Sequence, residues 1–196
     1  MKKSVLGLII VVAVLAIFIF WGIGTYNGLV SKEEAVKAQW ANVENVYQRR
    51  ADLIPNLVAT VKGYATHEEK TLTEVVEARA KATQVVINPS KLNDANVSAY
   101  ENAQNGLTGA LSRLLVSVER YPDLKANQNF LDLQSQLEGT ENRIAVERRK
   151  YNEVAQQFNT MIRSFPANLI AGIGSFEMKG YFKSNENASV APVVKF

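Results

Sequence analysis

The sequence has no cysteine, which excludes disulfides, thiolate nucleophiles, iron–sulfur clusters, cysteine-bound zinc and a lipid-modified N-terminal cysteine. That absence is neutral about redox compartment. Histidine occurs once, at His67. Its neighbours Glu68 and Glu69 point in different directions around a helix, and Lys70 and Thr71 stand where an HExxH pattern would continue, so no metal set is expected. A single histidine without a Gly-x-Ser-x-Gly elbow argues against a serine hydrolase, and there is no phosphate-cradling glycine loop. Strand patterning, internal repeats, low-complexity tracts and Gly/Ser-rich linkers are also lacking. No catalytic residue, no metal and no cofactor is expected, and the chain does not read as an enzyme.

What is present begins with one apolar run. "VLGLIIVVAVLAIFIFWGI", Val5 to Ile23, carries no charge and spans about 28 Å as a helix, close to the hydrocarbon thickness of a bilayer. Val5, Leu8, Val12, Leu15, Phe18 and Trp21 sample its length, and Phe18, Phe20, Trp21 and Tyr26 gather where amphipathic rings prefer the interface. Gly22-Ile23-Gly24 resembles a signal-peptide cleavage site. The run nonetheless exceeds the roughly 7–15 apolar residues of a signal core, and helical patterning resumes beyond it. Residues 1–26 therefore read as a retained single-pass anchor. Gly24 and Gly28, four apart at its exit, permit close helix crossing.

Setting aside residues 1–26 with Lys2 and Lys3 lowers the basic count from 22 to 20, against 19 acidic residues. No broad basic field remains, so no nucleic-acid partner is expected. Arg143, Arg148, Arg149 and Lys150 interleave with Glu141, Glu147 and Glu153, as on a solvated, ion-paired helix face. Lys2 and Lys3 favour a cytoplasmic N-terminus with the domain outside, although Lys32 and Lys37 flank the other side in similar number.

Beyond the anchor the pattern is helical throughout. Phe130, Leu137, Ile144, Tyr151, Phe158 and Phe165 recur every seven residues, with Leu133, Val154 and Met161 three residues after members of that series; Thr140 and Glu147 are the polar exceptions. Such a heptad winds helices together within one chain or between chains. Tyr100, Ala103, Leu107, Ala110 or Leu111, Leu114, Val118 and Tyr121 form a second stripe, and Val36, Trp40, Val43, Tyr47, Ile54, Leu57 or Val58, Val61, Ala65, Leu72, Val75 or Val76, Ala82 and Val86 a third. "INPSKLNDAN" and "YPDLKANQNF" break the pattern. In the latter, Asp123 and Asn127 are suited to cap the next helix, and Lys125 and Asn127 are expected to be exposed.

The third stripe as one helix would extend roughly 85 Å, about twice the 97–121 helix, so a turn or kink at 52–55 is expected. The fold expectation is all-α: one transmembrane helix continuing into an antiparallel up-and-down bundle of four long helices, about 28–53, 55–87, 97–121 and 127–165, or of three with the first kinked at Pro55. Arg50, Asp52, Pro55, Asn56 and Gly63 are read as a structural joint. Pro55 frees a carbonyl one turn earlier, Asp52 and Asn56 are placed to satisfy it, Gly63 admits a close neighbour, and Arg50 pairs with Asp123 or Glu141. The domain expectation is a 27–166 bundle and a 167–183 aromatic segment on the bundle or the membrane surface, with Lys179 and Lys183 facing headgroups in the latter case. A polar, disordered tail follows over 184–196.

"RRADLIPNLVATVKGYATHE", "YPDLKANQNFLDLQSQLEGTENRI", "RRKYNEVAQQFNTMIRSFP" and "FEMKGYF", following an N-terminal span, resemble the LemA family over most of residues 26–183. The resemblance implies a membrane-anchored long-helix bundle and no particular activity. Magnetosome-associated members point toward membrane shaping or organelle assembly.

The functional expectation is a non-enzymatic scaffold of the cell membrane. Its partners are the lipid bilayer, further copies of itself as a homo-oligomer, and other envelope proteins. The alternative is a signalling module in which buried polar positions such as Arg50 and Glu147 re-pair between states.

Overall fold

The computed structural model describes residues 3–65 and 68–183, with side chains from Leu6 onward. The readings made above for Lys2, the Val5 side chain, His67 and the tail 184–196 lie outside the described residues.

Helix α1 runs unbroken from Lys3 to Lys62, about 90 Å at helical rise. Its N-terminal part is long and apolar enough to cross a membrane. The side chains of Leu8, Val12, Leu15 and Phe18 stand free of the bundle, whereas Leu29, Val36, Trp40 and Val43 are fully buried in it. One helix thus passes from an unpacked apolar rod into the core without an intervening linker.

Of the turn or kink expected at 52–55, this continuity excludes the turn. Pro55 lies inside α1 on its exposed side, and the chain reverses only after α1 has ended at Lys62. The length conflict that suggested an earlier turn disappears because the partner of α1 is α5, Gln128–Arg163. At 36 residues α5 is about 54 Å long, matching α1 from residue 28 onward. The two are antiparallel: Gly28 faces Met161, Lys32 donates to Gln157 at 3.0 Å, Gln39 to Glu147 at 2.6 Å and Arg50 to Glu141 at 2.6 Å.

Helix α2, Glu69–Gln84, returns beside α1, and α3, Asp94–Val118, runs antiparallel to α2. Arg113 meets Glu74 at 3.2 Å and Gln104 donates to the Ala82 carbonyl at 3.3 Å. Between them a single 3-10 turn, Pro89–Lys91, is capped by Asn88, and Asn93 caps α3. The short α4, Pro122–Lys125, leads into α5, which Asn127 caps by accepting from the Phe130 amide at 3.1 Å. Asn127 also donates to Tyr64 at 2.9 Å and is half-buried rather than exposed; Lys125 is exposed as expected. The result is an all-α, up-down-up-down bundle with no strand among the described residues.

Helix α6, Ala167–Ile173, folds back against α1 at the level of Gly22, and residues 176–183 climb the bundle as an extended strap. Helix α2 is only 16 residues, about 24 Å, so it leaves the end of the bundle nearer the apolar rod uncovered. The strap enters that gap, and Phe182 is buried there at 4% exposure.

Candidate functional site

Two apolar clusters make the core. The one nearer the apolar rod is aromatic: Trp40 meets Tyr100 and Tyr151 edge-on and stacks on Phe182 at 5.7 Å, and Phe158 belongs to the same cluster. The distal one is largely aliphatic and includes Ile54, Leu57, Leu107 and Leu114 together with Phe130. The heptad residues Phe130, Leu137, Ile144, Tyr151 and Phe158 are all buried on α5. Phe165 is not: it lies beyond the helix end at 81% exposure, because α5 stops at Arg163 before Pro166.

Between the clusters lies a polar layer built by α1, α3 and α5 at matching heights. Arg50, 1% exposed, donates through Nη1 to Thr108 Oγ1 at 2.8 Å and Glu141 Oε1 at 2.6 Å. Its Nη2 reaches Gln104 Oε1 at 2.7 Å and the Gln104 carbonyl at 3.2 Å. The guanidinium also sits 5.1 Å from the Tyr47 ring centroid. A planar fork with several donors can join three helices in this way, which a lysine ammonium cannot reproduce. Of the two expected partners of Arg50, Glu141 is the one engaged. Glu147 instead binds Gln39 and Lys150 at the surface. Burial pushes the phenols of Tyr47 and Tyr100, which flank the layer, above their usual range.

The expected joint residues have other roles. Asp52 accepts from Gln48 at 2.8 Å, and the Asn56 carbonyl accepts from Thr60, so neither side chain meets the carbonyl that Pro55 leaves open. That carbonyl belongs to Ala51, and Arg79 of α2 donates Nε to it at 2.7 Å. Gly63 follows the end of α1 without a left-handed φ, and a Cβ there would meet only ordinary contacts, so no close approach depends on it. Gly28 packs under Met161 of the same chain, whereas Gly24 has open space about it.

The strap is held by groups that the periodic pattern conceals. Asn159 clasps Lys179 by donating to its carbonyl and accepting from its amide, both at 2.8 Å. Asn152, seven residues earlier, does the same for Phe182 at 2.8 and 2.9 Å. The signal in the sequence is an asparagine directly after each of the heptad aromatics Tyr151 and Phe158. Lys179, 4% exposed, does not face headgroups: its Nζ donates to Glu33 at 2.6 Å and lies over the Phe158 ring. Burial alone would raise the Glu33 carboxyl, but the hydrogen bond and charge of Lys179, with Lys37 adding, hold it below the usual carboxylate range. Arg148 joins Glu101 of α3, the Lys183 carbonyl and the Phe182 ring, so this member of the basic cluster ties the bundle to the strap. Gly180 leaves no room for a side chain, since a Cβ would lie 2.7 Å from Asp94 backbone atoms.

Chemically, the polar layer and the strap bind backbone and side chains to one another. Among the described residues, no three His, Asp or Glu side chains converge in a way that could hold a metal ion.

The chain is similar to curated proteins over most of its length. Magnetosome protein MamQ 2 of Paramagnetospirillum magneticum is 28% identical over 205 residues, covering 95% of this chain and 75% of that one. Magnetosome protein MamQ of Magnetospirillum gryphiswaldense is 26% identical over 201 residues, covering 93% and 74%. Protein LemA of Metamycoplasma hominis is 24% identical over 157 residues, covering 80% and 68%. The LemA family model matches residues 39–196, taking in the polar layer, α3, α5 and the strap with its paired asparagines; on that match, the chain belongs to the LemA family.

Proposed function

We propose that the protein is a single-pass, membrane-anchored, non-enzymatic scaffold that associates with copies of itself and organises membrane or envelope complexes. One observation carries this reading. The apolar rod and the central bundle helix are the same helix, α1, so the orientation of the bundle is coupled to the bilayer. Confinement to a membrane raises the effective concentration of neighbouring copies, and bundles of fixed orientation are suited to pack side by side. Similarity to magnetosome proteins supports the organising part of the proposal. The cytoplasmic N-terminus with the bundle outside is the orientation we favour from the flanking charges.

Because the chain lacks cysteine, single cysteines at exposed positions give clean crosslinking. Val116→Cys on α3 and Ile17→Cys in the rod are both exposed sites. Disulfide-linked dimers and higher species in native membranes are expected; monomers alone at both sites and at further exposed positions would contradict self-association.

A second reading, a signalling module that changes packing on binding a partner, is favoured by the polar layer. Arg50 Nε has no hydrogen-bond partner despite burial, which leaves a donor for a second arrangement. A charge-reversed pair, Arg50→Glu with Glu141→Arg, tests it. Retained folding with altered response to a partner supports the switch, and unchanged response opposes it.

A further inference from the structure

The segment from Ser164 to Phe176, "SFPANLIAGIGSF", carries no charge and is bounded by Arg163 and Glu177. Its helix, α6, buries Ala171 against the bundle, and Ile170 packs where a side chain on Gly22 of α1 would stand, at 3.6 Å. Phe176 meets the Tyr26 ring edge-on at 5.6 Å. Away from the bundle α6 presents Leu169 and Ile173, four residues apart and 57 and 84% exposed, and Phe165, just before the helix, is 81% exposed. Leu169 and Ile173, one turn apart on α6, and Phe165 just before it are large apolar side chains unaccompanied by charge, and they ask for a partner.

The level at which α6 sits identifies that partner. The apolar run of α1 is about 28 Å long and ends at Ile23, so a residue packed on Gly22 lies within a few ångströms of its outer end. Trp21 and Tyr26, rings of the kind that collect at membrane interfaces, bracket the same height. If the run of α1 fills the hydrocarbon layer, the exposed face of α6 cannot avoid the boundary between headgroups and acyl chains.

The geometry points to α6 as a membrane foot: Phe165, Leu169 and Ile173 insert into the leaflet from which α1 emerges, so the chain grips the bilayer at two adjoining places. This rests on α1 being a membrane span. The occupant is lipid. A lone helix would let the bundle rotate about its own axis, whereas a foot beside it fixes which face of the bundle turns toward the membrane and which toward neighbours.

Site-directed spin labelling of the full-length chain in vesicles of phosphatidylethanolamine and phosphatidylglycerol tests the proposal, with labels at Leu169→Cys, Ile173→Cys, Leu15→Cys and Gln156→Cys. Collision with oxygen, which concentrates in lipid, is compared with collision with a water-soluble nickel chelate. Labels at 169 and 173 are expected to favour oxygen several-fold more than the label at 156. An aqueous signature at 169 and 173 with a lipid signature at Leu15 overturns the foot alone; an aqueous signature at Leu15 overturns the span. Spin–spin broadening at 169 and 173 that vanishes on dilution with unlabelled chain would place a second copy there, and would likewise overturn the lipid assignment.

Discussion

The guanidinium Nε of Arg79 donates to the backbone carbonyl of Ala51 at 2.7 Å, the carbonyl that a residue with an N–H at position 55 would have satisfied. Pro55 sits four residues later in α1 and has no N–H to give. A helix-interior proline is tolerated here because the neighbouring helix supplies the missing donor.

This relationship predicts coupling between the two residues. Arg79→Ala should destabilise the bundle by about 1–2 kcal/mol, since a buried carbonyl loses its partner. In a Pro55→Ala background the backbone amide restored at position 55 takes that carbonyl, and the same change should cost distinctly less. Denaturant titrations of the four proteins in a double-mutant cycle measure the difference. Equal costs in the two backgrounds would mean that Arg79 acts independently of the proline.

The polar layer should be intolerant of loss on the acidic side. Glu141→Gln leaves Arg50 buried and charged without a counter-charge, with an expected loss of about 2–3 kcal/mol. Arg50→Lys keeps the charge but loses the fork that joins Thr108, Glu141 and Gln104, and should also destabilise, by about 1–2 kcal/mol. Thermal unfolding in detergent checks both. A neutral Arg50→Lys would show that charge alone suffices.

Docking of the strap should depend on single contacts. Phe182→Ala removes the ring stacked on Trp40 and should cost about 3–4 kcal/mol, with Trp40 emission moving toward that of a hydrated indole. Trp21→Phe leaves Trp40 as the sole reporter. Gly180→Ala should detach the strap by steric conflict with the start of α3, raising hydrogen exchange over 176–183 while α1 and α5 stay protected. Unchanged exchange in Gly180→Ala would contradict the packing described for it.

Acid should loosen the strap. Glu33 has a folded-state pKa below its ordinary value, so the detached form binds the proton more readily. Its contribution is complete above the ordinary glutamate value of about 4.3 and is lost as pH falls through the lower folded-state value. Hydrogen exchange of 176–183 should therefore rise below about pH 4, and Glu33→Gln should remove that component. Glu147, held low by Lys150 and Gln39, contributes with the same sign at the α1–α5 surface and is distinguished by its own glutamine variant.

The helical class, the long apolar N-terminal helix and the stripes were legible because an unbroken apolar run and a three- and four-residue spacing leave little freedom for the local conformation and for the side that packs. The position of the first reversal was not. Proline as a helix breaker is a local expectation, and Arg79, which neutralises it, lies 28 residues from Ala51. Phe165 continues the heptad numerically, but Pro166 ends the geometry that gives the heptad meaning. Lys179 reads as a surface residue from its type, and only the approach of Glu33 and Phe158 from two other elements makes its burial tolerable. Arg50 was recognisable as an odd residue on an apolar stripe and Glu141 as one of two candidate partners, yet Thr108 and Gln104 come from α3, which no local pattern connects to it.

Electron cryo-microscopy of the full-length chain reconstituted in lipid tests the scaffold proposal most directly. It predicts bundles rising from the bilayer at one constant angle and meeting their neighbours through repeated contacts. Isolated bundles tilting at random about a flexible exit from the membrane would contradict it.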